Sequence, residues 1–127
     1  MKIKTGLAGK RGEAAVAEFL TRQGHTVLDL NWRCGHLEVD IVTLDELGLH
    51  FVEVKTRSLS ALREPQENVG YVKQRRLAAA ARQYLAKKKG KIGAVEVFFD
   101  VAAVIYTDNH LEIKYFPNAF IPMETYF

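Results

Sequence analysis

The sequence has little of what marks secreted or membrane-spanning proteins. It holds a single cysteine, Cys34, which excludes an internal disulfide and suits a reducing compartment. No apolar run approaches the ~20 residues that a helix needs to cross a bilayer. The first residues, Met1 to Lys4, lack the apolar stretch of a signal peptide. We therefore expect a cytoplasmic protein with no membrane partner.

Two common kinds of binding site are also poorly represented. The four histidines are scattered along the chain and, together with Cys34, lack the grouped spacing of a zinc site. Gly6, Gly9 and Gly12 follow no evident strand, and no Gly-Lys-Ser/Thr of a phosphate-binding loop comes after them. Both kinds of site are therefore only weakly indicated.

The composition is that of one globular domain. The chain has 127 residues, of which 48% are hydrophobic and 26% charged, enough for a single core. We therefore expect one α/β domain over residues 1–127. The patterns predict a helix, three strands, a second helix and two strands, at about 9–24, 26–32, 36–44, 49–57, 66–89, 94–106 and 110–116.

Positive charge is concentrated in the second predicted helix. The formal net charge is only +3, but eight of the eighteen basic residues fall between Lys73 and Lys91, with no acid among them. Such a patch is the electrostatic footprint of a protein that binds phosphate backbones. A charge run on a helix is equally typical of a solvated face. The run includes Lys73, Arg75 and Arg76 at its N-terminal end.

Two acids and a lysine stand in two neighbouring strands that should be apolar. Asp40 lies in the strand at 36–44, and Glu53 and Lys55 lie in the strand at 49–57. Side chains alternate across a strand, so Asp40 should share a face with Glu38, and Glu53 should share a face with Lys55. The stretch 45–48 contains glycine and resembles a turn, which predicts a hairpin.

The register of this hairpin decides what the acids do. A four-residue loop at 45–48 would place Asp40 directly opposite Glu53, and Glu38 opposite Lys55. Opposed like charges destabilise a sheet, and a divalent metal between them would remove that penalty. A two-residue loop would instead pair Asp40 with Lys55 as an ordinary salt bridge. Spacing alone leaves both interpretations open.

One charged residue on each predicted helix also falls on the side that should face the sheet. Glu13 lies on the same stripe as Val16 and Leu20, where it either interacts with the helix dipole or points toward the acids. Lys73 lies on the same face as Leu77, where it either extends its ammonium group to the edge or reaches a substrate phosphate.

The chain resembles a known family at five points in order. These are Gly12-Glu13, the block Leu37–Val42, the run FVEVKTR at 51–57, Lys73, and Phe99-Asp100-Val101. Together they resemble the YraN-like family of uncharacterised bacterial proteins, within the PD-(D/E)xK nuclease superfamily, whose acid, hairpin turn and Glu-x-Lys pattern matches Asp40, Glu53 and Lys55. Val39 replaces the proline that names the superfamily, but no acid or lysine of that pattern is lost.

The resemblance implies a restriction-endonuclease-like α/β fold, with a mixed five-stranded sheet flanked by helices. It implies an endonuclease that hydrolyses phosphodiester bonds in DNA or another nucleic acid with Mg²⁺ or Mn²⁺. Asp40, Glu53 and Glu13 would be the metal ligands, and Glu38 would support them. Lys55 would orient or activate the attacking water. Asp100 would belong to the scaffold rather than to the site.

The basic residues would then position the nucleic acid. Arg57, Lys73, Arg75 and Arg76 would contact its backbone without reading bases. Cleavage of both strands of a duplex or junction would need two sites, hence a homodimer. Two other classes remain open, because fold and motif do not establish turnover: a non-catalytic nucleic-acid-binding module with the same fold, and an interaction scaffold that binds no nucleic acid.

Overall fold

The structure is a computed structural model that describes residues 7–58, 69–88, 90–107 and 110–122. Its elements, in chain order, are α1 (Leu7–Arg22), β1 (Thr26–Cys34), β2 (Leu37–Leu44), β3 (Leu49–Ser58), α2 (Tyr71–Lys87), β4 (Val97–Tyr106) and β5 (Leu111–Phe116). This is the predicted order of elements. In the described ranges, neither helix has the length and apolar character required to cross a membrane.

The five strands form one mixed sheet in the order β1-β2-β3-β4-β5. Strands β3 and β4 are parallel, and the other neighbours are antiparallel. A parallel pair needs a crossover connection, and α2 lies in that connection. The predicted α/β fold with a mixed five-stranded sheet flanked by helices is confirmed.

The main differences in bounds concern the second half of the chain. The second helix begins at Tyr71, because Gly70 is its extended N-cap with φ −68° and ψ 169°, whereas 66 was predicted. The first residues of the predicted helix, 66–68, lie outside the described residues. Strand β4 begins at Val97 rather than at 94.

The two helices pack on opposite faces of the sheet and bury separate cores. On one face, α1 contributes Val16 and Leu20 to a cluster with Ile41, Val52, Val54, Ala102 and Val104. On the other face, α2 contributes Leu77, Ala80, Ala81 and Tyr84 to a cluster with Val39, Val42, Leu49, Phe51 and Phe99. Full burial of each large apolar side chain contributes about 1.5–3 kcal/mol. The sheet is therefore covered on both sides, and polar side chains within it are exceptional.

The turn between β2 and β3 has the four-residue form. Leu44 pairs with Leu49, and the carboxylate of Asp45 accepts hydrogen bonds from the backbone N–H groups of Leu47 and Gly48. Gly48 has φ 152°, and a Cβ atom there would collide with the carbonyl oxygen of Glu96. Asp45 and Gly48 thus fix the loop length, and of the two loops that spacing left open the structure has the four-residue one.

The alternation of side chains is broken in β2 at Asp40. Val39 packs in the cluster under α2, together with Val42, whereas Ile41 packs in the cluster under α1. Strict alternation along β2 would place Val39 and Ile41 on one face, and the structure does not keep that alternation. Opposite this break, between residues that pair with Ile41 and Val39, Asn31 has a positive φ of 51°. β1 and β2 keep the same register on both sides of this position, so the irregularity changes the facing of the side chains without adding a residue.

The N-terminal part of α1 lies close to β3 and β4. Gly12 is buried, and a Cβ atom added there would be 3.3 Å from Thr56 Oγ1 and 3.5 Å from a methyl group of Val104. The absence of a side chain at Gly12 therefore permits this close approach. Glu13, the next residue, is therefore held near the part of the sheet that contains Thr56 and Val104.

Candidate active site

Glu53 is a buried carboxylate with two ammonium groups close to it. It lies on the face of β3 that α2 covers, and only 3% of its surface is exposed. Its Oε2 atom is 3.5 Å from Lys73 Nζ and 3.8 Å from Lys55 Nζ. A buried ionised carboxylate is stable only when it is paired, and these two lysines supply the positive charge. The sequence pattern Glu-x-Lys and the helix face of Lys73 are thus brought together.

Asp40 is the second buried acid, with 5% of its surface exposed. Its Oδ2 atom accepts a hydrogen bond of 2.8 Å from the backbone N–H of Val54. Val54 lies between Glu53 and Lys55 on β3, so this charge-assisted bond fixes the Asp40 carboxylate beside the Glu-x-Lys segment.

The observed register would place Asp40 opposite Glu53, one residue beyond the last backbone pair. Within the described strands, the paired register of β2 and β3 runs only from Leu44–Leu49 to Ile41–Val52. Beyond that point the carboxylate of Asp40, rather than a backbone carbonyl, accepts from β3. The break in β2 replaces one ladder bond with a side-chain bond, which the simple two-residue alternation of a strand does not predict.

The position of Glu38 opposite Lys55 lies beyond the paired register of β2 and β3, which ends at Ile41 and Val52. Glu38 pairs with Arg33 on β1, and its Oε2 atom is 3.9 Å from Arg33 Nη2 with both side chains largely exposed. Exposed ion pairs of this length contribute little to stability. The side chain of Glu38 is therefore exposed to solvent.

Glu13 belongs to the helix on the other face of the sheet and is half-buried. It follows Gly12, whose close approach to Thr56 and Val104 places the start of α1 against β3 and β4. Glu13 does not form a close group of three acids with Asp40 and Glu53. In the described part of the chain, the single set of three His, Cys, Asp or Glu residues with ligand atoms within 4.8 Å of one another lies elsewhere.

The predicted phosphate-contacting residues lie at the start of α2 and at the end of β3. Lys73 is on the sheet side of α2, as its periodicity predicted, and Arg76 follows one helical turn later. Arg75 and Arg76 are exposed, and the guanidinium of Arg75 lies 5.5 Å from the centre of the Tyr71 ring. Arg57 is half-buried and donates to the carbonyl of Thr56.

The C-terminal end of the basic run has structural contacts. Lys88 Nζ is 3.7 Å from Asp29 Oδ2, and the hydroxyl of Tyr84 donates to the same oxygen at 2.6 Å. Burial, followed by the hydrogen bond to Asp29, raises the pKa of Tyr84. Lys88 therefore helps to attach α2 to β1, whereas the exposed Arg75 and Arg76 remain close to Lys73.

The donor chemistry of Asp40 and Glu53 fits Mg²⁺ or Mn²⁺. Mg²⁺ binds through one or two carboxylates and several waters rather than through an all-protein cage. The bond from Val54 occupies one direction on the Asp40 carboxylate, which has about four lone-pair positions. Lys55 and Lys73 place two ammonium groups beside Glu53.

A second polar cluster, which the sequence patterns did not predict, lies at the turn end of β2 and β3. His25 and His50 have ring centres 4.6 Å apart, and both approach the carboxylate of Asp45. Buried Asp100 accepts hydrogen bonds from His50 Nδ1, the hydroxyl of Tyr115 and the backbone N–H of Asn118. The expectation that Asp100 makes structural hydrogen bonds is thus confirmed.

The charges of this cluster are coupled. Burial lowers the pKa of His25, and the nearby His50 lowers it further. Burial also disfavours the charged form of His50, but hydrogen bonds to Asp100 and Asp45 outweigh it and raise its pKa. For Asp45, burial acts against ionisation, and the hydrogen bond from His50 outweighs it and lowers the pKa. Of the two histidines, His50 is therefore the one that is protonated more readily.

Comparison with known sequences gives one family. The model of the Uncharacterised protein family UPF0102 matches residues 12–104. A UPF0102 protein of Syntrophotalea carbinolica is 42% identical over 112 residues, which cover 88% of this chain and 89% of the relative. One of Bacteroides thetaiotaomicron is 40% identical over 114 residues, covering 90% and 92%. One of Geobacter metallireducens is 34% identical over 120 residues, covering 94% and 97%.

Proposed function

This chain belongs to the Uncharacterised protein family UPF0102, and from that premise we propose that it is a metal-dependent endonuclease that hydrolyses phosphodiester bonds of nucleic acid, with DNA as the preferred substrate. The observation that carries the proposal is the buried Glu53 carboxylate with Lys55 and Lys73 beside it, next to an Asp40 fixed by Val54. Two buried acids with adjacent lysines are a costly arrangement for a fold and a suitable one for phosphate chemistry.

The two acids have the role of metal ligands in this proposal. Asp40 and Glu53 would hold Mg²⁺ or Mn²⁺, which when bound supplies positive charge to stabilise the negative charge that grows on the phosphate. The hydrogen bond from Val54 keeps the Asp40 carboxylate oriented before substrate arrives. Because Glu13 lies outside a close group with these two acids, its role would be in the outer part of the site.

The lysines act on the phosphate and on the attacking water. Lys55 is two residues after Glu53 on the same face of β3, so its ammonium group would orient the water and neutralise a phosphate oxygen. Lys73 approaches the same carboxylate from α2 and would contact a neighbouring phosphate oxygen. Both side chains are already held by Glu53, which limits the reorganisation needed when substrate binds.

The surface near Lys73 would hold the nucleic-acid backbone. Arg76 is one turn from Lys73, and Arg75 is exposed beside Tyr71. No acid is present in the first turn of α2 itself, and Lys73 is paired with Glu53 of β3. Arg57 at the end of β3 would extend this surface. Such contacts position a nucleic acid without sequence preference.

Two further features belong to the same proposal. Hydrolysis of both strands of a duplex or junction would require two copies of the site, and therefore a homodimer on such substrates. The single cysteine suits the cytoplasm, where DNA and RNA are available as substrates.

A substrate panel tests the proposal. Purified protein is incubated with labelled single-stranded, duplex, flapped and four-way-junction DNA, and with a single-stranded RNA, in Mg²⁺ or Mn²⁺. A Lys55→Ala variant prepared identically controls for contaminating nucleases. We expect product from the wild type alone, lost on addition of chelator. Equal product from both proteins, or none on any substrate, would contradict the proposal.

A binding module is the second candidate, because Glu53 is already neutralised by two lysines and could serve as a closed ion-pair cluster. A binder would keep its salt-sensitive affinity for DNA after chelation and after Glu53→Ala, and would form no product. An interaction scaffold without nucleic acid would show no change in DNA binding when Arg75 and Arg76 are neutralised.

A further inference from the structure

We propose that His25, Asp45 and His50 form a second metal site, specific for a divalent transition metal such as Zn²⁺ and separate from Asp40 and Glu53. The proposal does not depend on nuclease activity. Asp45 is five residues from Asp40, which corresponds to about 16 Å along an extended strand. His50 and Glu53 point to opposite faces of β3, because alternation places His50 with Val52 on the α1 side and Glu53 with Phe51 on the α2 side.

The three side chains converge on a small volume. One ligand atom of each lies within 4.8 Å of the others. His50 Nε2 is 2.8 Å from Asp45 Oδ1, and His25 Nε2 is 3.4 Å from Asp45 Oδ2. Ligands around tetrahedral Zn²⁺, at about 2.0–2.2 Å from the ion, are separated by roughly 3.3 Å. Small rotations of these side chains would therefore place all three around one ion.

The other nitrogen of each histidine is already engaged. His50 Nδ1 donates to Asp100 Oδ2 at 2.7 Å, and His25 Nδ1 lies 2.7 Å from Thr43 Oγ1. Metal-binding histidines almost always use their second nitrogen in this way, since the bond fixes the ring and selects the free nitrogen. Here it leaves Nε2 of both rings directed toward Asp45. The Asp100–His50 pair in particular has the arrangement of a carboxylate–histidine–zinc unit.

The site has an entrance from solvent. An open depression on the surface is lined by Gly24, Thr26 and Asp45, together with Gln23, Leu44, Glu46 and Leu47. It therefore includes Asp45 and Gly24, which directly precedes His25 in the chain. A metal ion could enter there, and water could provide a fourth ligand.

The donor set selects the metal class. Two imidazole nitrogens and one carboxylate favour Zn²⁺ or Co²⁺, whereas Mg²⁺ and Ca²⁺ prefer oxygen ligands alone. The bound ion would connect the residue before β1, the β2–β3 turn and the start of β3. We therefore expect it to stabilise this end of the sheet.

Co²⁺ titration tests the site, because tetrahedral Co²⁺ has a visible absorption spectrum and Zn²⁺ displaces it. The full chain is first treated with chelator and then titrated. We expect a saturable spectrum at one Co²⁺ per chain, removed by Zn²⁺, and a rise in the thermal midpoint with Zn²⁺. The absence of a saturable spectrum would overturn the proposal.

Variants locate the ion. His25→Gln and Asp45→Asn should each weaken Co²⁺ binding by at least the roughly 10–100-fold that loss of an outer partner costs, and Thr43→Val should weaken it by about that factor. Asn at 45 retains the oxygen that accepts from Leu47 and Gly48, so the turn should persist, and circular dichroism checks the fold of each variant.

The matched control is the double variant His36→Gln/His110→Gln, which removes the two exposed histidines. It should bind Co²⁺ as the wild type does, and Glu53→Gln should as well. If the spectrum is lost in either control, or is retained in His25→Gln and Asp45→Asn, the ion binds elsewhere and the proposal fails.

Discussion

Replacement of Lys73 with methionine would remove one of the two cations beside Glu53 and keep most of the apolar side chain. Glu53 is buried, with Lys73 Nζ at 3.5 Å and Lys55 Nζ at 3.8 Å from the same oxygen. In the variant, Lys55 is the one of these two lysines that remains beside the Glu53 carboxylate. We expect the protein to become less stable.

The magnitude lies between two limits. An exposed ion pair contributes about 0–1 kcal/mol, whereas loss of one partner from a buried pair costs about 3–5 kcal/mol. The Lys73 side chain is 39% exposed and Lys55 remains, so the lower half of this range applies. We expect a loss of about 1–2 kcal/mol. With a urea slope of about 2 kcal/mol/M, the midpoint should fall by roughly 0.5–1 M.

Urea denaturation followed by circular dichroism measures this change. Lys87→Met is the matched control, since Lys87 is an exposed lysine of the same helix and its replacement should shift the midpoint little. In Glu53→Gln, the further change Lys73→Met should cost much less, because the carboxylate charge is already absent. If Lys73→Met shifts the midpoint no more than Lys87→Met does, the inferred pairing with Glu53 is not energetically significant.

Three more results are expected. Neutralising Arg75 and Arg76 together should reduce the slope of log affinity for duplex DNA against log salt by up to about 1.8, measured by fluorescence anisotropy. Tyr84→Phe should lower the unfolding free energy by about 1.5–3 kcal/mol, because the hydroxyl donates to the Asp29 carboxylate at 2.6 Å. In chelator-treated protein, His50→Gln should be destabilising below pH 6.5, and the deficit should shrink as pH rises through the raised folded-state pKa of His50.

Each expectation has a result that contradicts it. An unchanged salt slope would remove Arg75 and Arg76 from the interface. A Tyr84→Phe variant as stable as the wild type would show that the contact with Asp29 contributes nothing net. The protonated form of His50 is the one that the fold favours, so its contribution is present at low pH and lost at high pH. If the loss of stability in His50→Gln instead grows as pH rises, the fold favours the neutral form of His50.

Local sequence patterns were sufficient to predict most of the fold. Asp45 and Gly48 specify a turn through side-chain hydrogen bonds and a positive φ, so the sequence could indicate the loop although spacing alone did not decide its length. Helical periodicity placed Lys73 on the side of α2 that faces the sheet, and its contact with Glu53 confirms that placement.

The remaining features depend on contacts between distant segments. The break at Asp40 coincides with a positive φ at Asn31 on the neighbouring strand, and strand alternation carries no information about such an irregularity. His25 and His50 are far apart in sequence and meet because β1 and β3 lie on either side of β2. Sheet order and register together would have been needed to find that cluster.

The dependence of DNA cleavage on Mg²⁺ tests the central proposal most directly. The initial rate is measured on the best substrate of the panel over a series of Mg²⁺ concentrations, for the wild type and for Asp40→Asn, with binding measured in parallel. The account predicts a rate that rises to saturation with Mg²⁺ in the wild type and is absent in Asp40→Asn, while DNA binding is retained by both. A rate that is the same in chelator, or the same in Asp40→Asn, would contradict it.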